Sequence, residues 1–264
     1  MHTSPTAFIT GASAGLGMEF ARQLAAQGYD LILTARRKDR LDELAGRLQP
    51  HNVSIEVIPA DLCQPADIQR LCEYITNQPN LEILVNNAGF GTKGRFQHVD
   101  PQKLDAMAQV HMTAPILLSR AALSVMLPRQ RGNIINVASM AGFFPYRSVL
   151  YGSSKAFLIS FSQSLDDQLA GTGVHVQALC PGFTRTEFHS TDELRGFNYH
   201  SIPKLLWLTS EQVVCHSLND IRRHRQVSIP GWQYRFIALF ARNSLLTAFI
   251  RGVARYIFNK DGVA

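Results

Sequence analysis

Short runs of aliphatic and β-branched residues alternate with longer amphipathic stretches through the first 180 residues of the chain. The short runs have the length of buried strands, and apolar residues in the longer stretches recur at helical spacing. Strands separated by helices pair in parallel through right-handed crossovers, with helices on both faces of the sheet. The alternation predicts an α/β fold, a Rossmann-type doubly wound parallel sheet of about seven strands. Six of these strands are predicted at 6–10, 31–33, 53–58, 83–85, 134–137 and 174–179.

Residues 1–264 are predicted to form a single domain, because no repeat, low-complexity segment or linker interrupts the pattern before about residue 185. With 46% hydrophobic and only 17% charged residues, the chain can bury a large core, and disorder is not expected. From about residue 186 to 264 we expect a substrate flap and a helical C-terminal extension. The remaining predicted elements are long helices over about 101–127 and 150–170, a helix over about 210–222, and a last strand at Val227–Gly231.

Composition also limits the partners and the compartment. No apolar run reaches the roughly 20 residues that span a bilayer, and the chain starts without a signal-peptide core. The four cysteines have neither CxxC nor metal-ligand spacing, so we expect no metal site and a reduced, cytoplasmic setting. The formal net charge of +6 suits an anionic partner. Nucleic acid is not expected, because basic and aromatic residues are not interleaved.

A glycine-rich loop, Thr10-Gly11-Ala12-Ser13-Ala14-Gly15-Leu16-Gly17, stands directly between the first predicted strand and the first predicted helix. Glycines allow a tight turn and a close backbone approach to a phosphate, and a helix N-terminus supplies N–H groups. The spacing is GxxxGxG rather than GxGxxG. An ordinary glycine-rich turn is the alternative. The residues predicted to bind a cofactor here are Gly11, Ser13, Gly15, Leu16 and Gly17.

Basic residues follow the second predicted strand, where an NAD site commonly has an acidic residue that accepts from the ribose hydroxyls. Arg36 can pair with a 2′-phosphate, and Arg37 can supply a second positive charge. This pattern predicts NADP (NADPH) as the cofactor. The alternative is a solvated helix start, since runs of charge commonly lie at the surface.

Further candidate residues follow the third and fourth predicted strands, and ligands collect at the carboxyl ends of strands in such sheets. The Asp61 carboxylate is placed to bond the adenine edge. The small residues of the NNAG sequence let backbone lie flat against the cofactor. Each group taken alone is equally consistent with a plain turn. The predicted cofactor-binding residues here are Asp61, Leu62, Asn87, Ala88 and Gly89.

Three residues carry the predicted chemistry. Tyr151 and Lys155 are four residues apart in a predicted helix and therefore share a face, and Ser139 ends the fifth strand on the same rim. A tyrosine hydroxyl titrates at about pH 10, and a neighbouring lysine cation lowers the pKa of the phenol. The serine can donate a hydrogen bond to a carbonyl oxygen on which charge develops. The arrangement predicts a tyrosine that acts as acid and base.

The TGxxxGxG loop, the NNAG sequence, Ser139 with the YxxxK pair and the later Pro181-Gly182 together resemble the classical short-chain dehydrogenases/reductases. The resemblance fades after about residue 186. It implies that Tyr151 is the catalytic acid/base and that Ser139 positions the substrate carbonyl. It also implies that Lys155 bonds the nicotinamide ribose while lowering the pKa of the tyrosine.

The same resemblance implies further contacts and an assembly. Members that use NADP often carry a basic residue where Arg36 stands. Members commonly form dimers or tetramers through two long helices, so a homodimer or homotetramer is expected. The residues that would border the nicotinamide, the last of them near its carboxamide, are Pro181, Gly182, Thr184 and Thr186.

The chain departs from the family pattern in two places. His111 takes the place of an asparagine that usually holds a proton-relay water in the long helix before the fifth strand. Histidine can also bond a water and can titrate, or it can be a structural helix residue, and both interpretations stay open. The interval from Ser139 to Tyr151 is also one residue shorter than the common one.

The combined prediction is an NADP-dependent oxidoreductase that reversibly transfers a hydride between NADP(H) and a small, hydrophobic carbonyl compound or secondary alcohol. Two rivals remain: a catalytically silent NADP-binding sensor or partner protein, and a membrane-peripheral, lipid-modifying reductase. The second rival draws on the tail at 232–260, where arginines are interspersed among aromatic and aliphatic residues. Helices packed on the body of the fold or on another subunit are the simpler interpretation of that tail.

Overall fold

A parallel sheet is the centre of the fold in the computed structural model, which describes residues 4–92, 95–144, 149–187 and 202–241. Nine strands lie in these ranges: β1 (Thr6–Thr10), β2 (Asp30–Ala35), β3 (Ile55–Pro59), β4 (Leu81–Asn86), β5 (Gly132–Val137), β6 (Val174–Leu179), β7 (Thr184–Arg185), β8 (Leu208–Thr209) and β9 (Val227–Ser228). Seven form one sheet in the order β3-β2-β1-β4-β5-β6-β9, and β7 pairs with β8 apart from it.

Helices connect the strands as the crossovers require. The helices of the described ranges are α1 (Gly15–Ala25), α2 (Lys38–Leu48), α3 (Pro65–Thr76), α4 (Pro101–Ala108), α5 (Ala114–Met126), α6 (Val149–Gln168), α7 (Ser210–Ile221) and α8 (Trp232–Ala241). A π-helical turn at Gln109–Thr113 joins α4 to α5. The predicted helix over 101–127 therefore exists, with a local widening that the periodicity did not indicate.

The core has two halves, one on each face of the sheet. Successive strand residues point to opposite faces, so Ile9 packs with α1, α2 and α7, whereas Phe8 packs with α3 and α5. Leu33 and Ile32 of the next strand divide in the same way. Because both faces are covered, β1 and β2 have continuous apolar runs at their centres, whereas β3 and β6 also carry polar residues such as Glu56 and Gln177.

The strand order reverses between β1 and β4, and this switch point positions the site. In an open parallel sheet the crossovers leave a crevice at the carboxyl ends of the strands on either side of the switch. The glycine-rich loop follows β1, and Asn87 follows β4. Ser139 follows β5 on the same rim, two residues after the strand ends.

The predicted fold class is confirmed: the sheet is parallel, doubly wound and seven-stranded. The last strand is shorter than predicted, since Val227–Ser228 pairs with β6 and the next three residues do not. Of the predicted flap, 188–201 lie outside the described residues, as do 242–264 of the tail. No helix in the described part of the chain is both long and apolar enough to cross a membrane.

Candidate active site

The glycine-rich loop packs too tightly to hold larger residues. Gly11 and Gly15 have φ of +64° and +56°, a region that residues with a side chain rarely adopt. A Cβ on Gly17 would lie 2.3 Å from the carbonyl oxygen of Gly11. Ala14 caps α1 without a side-chain hydrogen bond, and the first turn carries no acidic residue. The start of α1 thus has N–H groups and a positive dipole end suited to an anion.

The NNAG sequence holds this loop in place from the neighbouring strand. The Asn87 amide donates to the carbonyl oxygens of Thr10 (2.8 Å) and Gly11 (3.1 Å). The Thr10 hydroxyl accepts from the backbone N–H groups of Asn87 and Ala88. A Cβ on Gly11 would lie 2.8 Å from the Cα of Ala88. The small residues therefore serve the close contact between two rim segments.

Basic residues line the end of β2, and one of them reaches the glycine-rich loop. The Arg37 guanidinium donates to the hydroxyl of Ser13 at 3.1 Å. Glu187 lies within 2.7 Å of Arg40 and 3.8 Å of Arg37. Arg36 is exposed next to them. Sequence reasoning missed Arg40, although it lies only four residues after Arg36, and missed Glu187, which no local pattern marks.

Asp61 and Leu62 lie at the end of β3 with different surroundings. The Asp61 carboxylate accepts from the backbone N–H of Cys63 at 3.0 Å, which stabilises the turn. The side chain of Leu62 is buried in the core below the rim. Asp61 is thus placed to contact a ligand through its carboxylate, whereas Leu62 can do so only through its backbone.

Ser139, Tyr151 and Lys155 come together beyond the end of β5. The Ser139 hydroxyl caps a 3-10 turn over Met140–Phe143 and hydrogen-bonds the Tyr151 side chain. The Lys155 ammonium donates to the carbonyl oxygen of Val137 at 2.8 Å and lies 5.7 Å from the Tyr151 ring centroid. The spacing of these residues in the sequence had predicted this grouping.

Burial, more than charge, sets the pKa values of this group. Burial raises the pKa of Tyr151 above its usual value, and the hydrogen bond with Ser139 opposes the shift. Burial lowers the pKa of Lys155 to about 8. The lysine was expected to lower the pKa of the tyrosine. In the structure the net shift is upward, because removing the phenolate from water outweighs its favourable contacts.

His111 is buried in the π-helical turn beside Tyr151. Its Nε2 accepts from the backbone N–H of Phe90 at 3.0 Å, and its Nδ1 lies 3.0 Å from the hydroxyl oxygen of Ser154. That hydroxyl donates to the Tyr151 carbonyl oxygen, so Nδ1 carries the proton and donates to Ser154. Burial, together with the Lys155 cation, lowers the pKa of His111 well below its usual value. The ring is neutral and fixed in one tautomer.

The segment after β6 closes the rim opposite α1. Pro181 accepts from the backbone N–H of Met140 at 2.9 Å, which joins this segment to the turn after Ser139. The Thr184 hydroxyl donates to the Gly182 carbonyl oxygen at 3.0 Å. The side chain of Thr186 lies against Gly15, since a Cβ there would be 3.3 Å from it. All four nicotinamide-bordering candidates are therefore on the rim.

Tyr234 of α8 also contacts this segment, and sequence reasoning did not find it. Its hydroxyl accepts from the backbone N–H of Phe183 at 2.8 Å. Its ring lies directly against Gly182. The residue is 52 positions away in the chain from Gly182 and belongs to no motif, so only the tertiary structure brings it to the site.

A surface cavity of about 480 Å³ lies elsewhere, between the start of α7 and the turn before α8. None of the predicted catalytic or cofactor-binding residues lines it, so the cavity is separate from the rim. Its polar lining residues include Lys204, Gln212, His216 and Gln233.

Comparison with known proteins shows the family to which the chain belongs. A family model described as short chain dehydrogenase matches residues 5–194, which include the glycine-rich loop, the serine, the tyrosine and the lysine. The chain belongs to the short-chain dehydrogenase family. This short-chain dehydrogenase is therefore an oxidoreductase, and Tyr234 lies outside the matched range.

The similar proteins include reductases and dehydrogenases. A sulfoacetaldehyde reductase from Chromohalobacter salexigens is 38% identical over 188 residues, 69% of this chain and 73% of the relative. A short-chain dehydrogenase from Sphingobium yanoikuyae, solved in complex with NADPH, is 34% identical with a TM-score of 0.81, covering 92% of this chain and 95% of its own. A bulky-bulky ketone specific alcohol dehydrogenase from Comamonas testosteroni is 33% identical with a TM-score of 0.78, covering 92% and 94%.

Proposed function

We propose that this short-chain dehydrogenase transfers a hydride between NADP(H) and a carbonyl compound or secondary alcohol, with Tyr151 as the acid/base. The observation that carries the proposal is the partly buried Ser139–Tyr151 pair, with the Lys155 ammonium 5.7 Å from the centroid of the tyrosine ring. A phenol, a hydroxyl donor and an ammonium group at one point suit proton transfer to an oxygen that gains charge.

The residues present fit a dinucleotide cofactor. Backbone at Gly11, Gly15 and Gly17 is open to a diphosphate, because side chains there would collide with neighbours or need a strained backbone. Arg36 and Arg37 would hold a 2′-phosphate, and Asp61 would bond the adenine. The other residues proposed to contact the cofactor are Ser13, Leu16, Leu62, Asn87, Ala88, Gly89, Pro181, Gly182, Thr184 and Thr186. When bound, the reduced nicotinamide supplies the hydride.

The protein's residues would supply the rest of the reaction. In reduction, Tyr151 donates its hydroxyl proton to the carbonyl oxygen as that oxygen gains negative charge. The Ser139 hydroxyl donates a hydrogen bond to the same oxygen and so orients the carbonyl. The Lys155 ammonium stabilises the phenolate that proton donation leaves behind, and it bonds the nicotinamide ribose. In oxidation the same groups act in reverse.

We assign His111 a holding role rather than a role in proton transfer. Its neutral ring connects Phe90, after β4, to Ser154 in the first turns of α6. Both ring nitrogens are engaged by protein groups, so a proton relay through the ring would break one of these hydrogen bonds. The histidine thereby fixes the start of the helix that carries Tyr151.

The surroundings favour a bulky, apolar carbonyl substrate. Met140 and the partly buried Phe143, Phe144 and Phe183 form an apolar cluster beside Ser139. The similarity to an alcohol dehydrogenase specific for bulky ketones agrees with such a substrate, whereas sulfoacetaldehyde is small and anionic. We therefore place bulky ketones ahead of charged aldehydes.

The test is a carbonyl panel that includes bulky aryl ketones and sulfoacetaldehyde, measured with NADPH and NADH side by side. We expect turnover with NADPH, and a loss of kcat of about a thousandfold in Tyr151→Phe, because the proton donor is gone. NADPH binding should change little in that variant. Tyr74→Phe, which removes the partly buried phenol of α3 that hydrogen-bonds Glu56, is the matched control and should keep full activity.

Two results would contradict the proposal. Unchanged turnover in Tyr151→Phe would remove the tyrosine from the mechanism. Tight NADPH binding without turnover on any member of the panel would favour the catalytically silent sensor.

A further inference from the structure

We propose that Tyr234 is a positioning residue for hydride transfer, because it fixes Gly182 and Phe183 at the edge where the nicotinamide would lie. The inference rests on the proposed function and extends it to a residue outside the range of the family model. Tyr234 lies in α8 and is 4% exposed.

The first observation is the close approach of the tyrosine ring to Gly182. A Cβ on Gly182 would lie 1.9 Å from the ring carbon that bears the hydroxyl, and 2.2 Å from both adjacent ring carbons. Real side chains cannot come this close, so the glycine at this position is required by the tyrosine. The backbone of Gly182 is consequently packed directly against the aromatic ring.

The second observation is that the Tyr234 hydroxyl bridges two separate segments. It accepts from the backbone N–H of Phe183 at 2.8 Å and donates to the carbonyl oxygen of Leu206. Burial raises the pKa of this phenol to about 12. The hydroxyl therefore keeps its proton at any working pH and can donate and accept at once.

The third observation is that the bridged segment connects to the catalytic serine. Pro181 accepts from the N–H of Met140, which is the residue next to Ser139. Phe183 accepts from the N–H of Leu208 at 2.9 Å, where β7 pairs with β8. A shift of Gly182 would therefore disturb both the proposed nicotinamide edge and the serine that orients the carbonyl.

A displaced nicotinamide would slow hydride transfer, since small errors of distance between reacting atoms reduce rates strongly. The adenosine end of the cofactor would be unaffected, because its proposed ligands follow β1, β2 and β3. This separation gives a direct test by binding alone. NADPH contains the nicotinamide, whereas 2′,5′-ADP shares only the adenosine and phosphate end.

The experiment compares Tyr234→Phe with the wild-type protein by calorimetric titration of NADPH and of 2′,5′-ADP. The variant keeps the ring but loses both hydrogen bonds, and the free energy of one such bond corresponds to roughly a tenfold change in an equilibrium constant. We expect the Kd of NADPH to rise about tenfold and the Kd of 2′,5′-ADP to stay within about twofold. With an active substrate, kcat should fall more than the KM of that substrate rises.

Tyr29→Phe is the matched control. Tyr29 is a half-buried phenol that hydrogen-bonds Glu82 at the opposite end of the sheet. Loss of this hydrogen bond should lower the free energy of unfolding, as loss of a hydrogen bond elsewhere would, without changing the Kd of NADPH or of 2′,5′-ADP. Equal weakening of both ligands in Tyr234→Phe, or weakening of neither, would overturn the inference.

A measurement on the wild-type protein covers the case in which Tyr234→Phe fails to fold. Hydrogen exchange of the Phe183 amide should slow more with NADPH than with 2′,5′-ADP, because only NADPH reaches that segment. Equal slowing would refute the positioning role. Absence of turnover in the wild type would contradict the proposed function instead. The comparison of NADPH binding with 2′,5′-ADP binding would still test the positioning role of Tyr234. If the protein prefers NADH, the same comparison is made between NADH and ADP-ribose.

Discussion

Tyr151, Lys155 and His111 lie together under the rim. Burial raises the pKa of the tyrosine and lowers the pKa of the lysine and of the histidine, so that each shift favours the neutral form. A tyrosine that stays protonated is the state that proton donation to a carbonyl needs. Lysine with a pKa of about 8 is still mainly a cation at neutral pH. Histidine supplies no charge at all, so the lysine is the positive group beside the phenol.

A prediction at this scale concerns cofactor choice. Arg36→Ala should raise the KM of NADPH by about tenfold or more and leave the KM of NADH nearly unchanged, because only NADPH has the 2′-phosphate. Steady-state kinetics with both cofactors measures the ratio. Arg47→Ala removes an arginine of α2 that pairs with Glu43, and it should change neither value. Equal losses for both cofactors in Arg36→Ala would refute the phosphate assignment.

A second residue-scale prediction concerns His111 and pH. Its pKa is lowered in the folded protein, so the unfolded chain takes up a proton first as the pH falls. The stability that comes from the neutral ring is complete above about pH 6.5 and is lost below it, by roughly 1 kcal/mol over the next pH unit. Urea unfolding at several pH values measures this slope.

His111→Asn is the comparison for that slope, since an asparagine does not titrate. The variant should lose less stability than the wild type between about pH 6.5 and 5.5. Other histidines, such as His175 with its lowered pKa, contribute equally to both proteins and cancel. Identical slopes would mean that His111 is not held neutral.

At the scale of elements, the rim depends on contacts between neighbouring loops more than on any one loop. The glycine-rich loop is hydrogen-bonded through Thr10 and Gly11 to Asn87, and Thr186 packs against it from the other side. The π-helical turn directs His111 inward between β4 and α6. Each element end therefore limits the position of the next.

A matched pair of glycine substitutions tests this packing. Gly17→Ala should destabilise the protein by roughly 1–3 kcal/mol, because the new Cβ meets backbone of Gly11 at 2.3 Å. NADPH binding should weaken as well. Gly46→Ala, in α2 with no atom within 4 Å of the new Cβ, should instead stabilise by about 0.5–1 kcal/mol. Thermal unfolding of both variants measures the two signs, and a stabilised Gly17→Ala would contradict the packing argument.

At the scale of the whole molecule, the rim is assembled from nearly the entire described chain. The two halves of the core share one sheet, and α8 reaches the segment after β6 through Tyr234. Because the site is built from parts that lie far apart in the chain, we expect the protein to unfold as one cooperative unit rather than as two independent ones.

The prediction at this scale is a single unfolding transition. Both tryptophans, Trp207 and Trp232, lie after residue 186, so their fluorescence reports the C-terminal extension, whereas circular dichroism reports the whole chain. The two midpoints should coincide. NADPH at about 100 times its Kd should add about 2.7 kcal/mol and move both midpoints together. Separate midpoints would contradict the single-domain prediction.

The sequence by itself determined the parallel sheet with its intervening helices and most of the residues of the rim. Parallel strands place all their carboxyl ends on one edge, so Gly11, Arg36, Asp61, Asn87 and Ser139 could be grouped from local patterns alone. Their positions directly after predicted strands can be read from the sequence without knowledge of how the elements pack.

Only the tertiary structure decided which distant groups meet and how far each is buried. The Tyr234 contact with Gly182, the Glu187 pairing with Arg40 and the tautomer of His111 all depend on atoms far apart in the chain. The upward pKa shift of Tyr151 has the same origin, since desolvation is set by everything packed around a group and not by its neighbours in sequence.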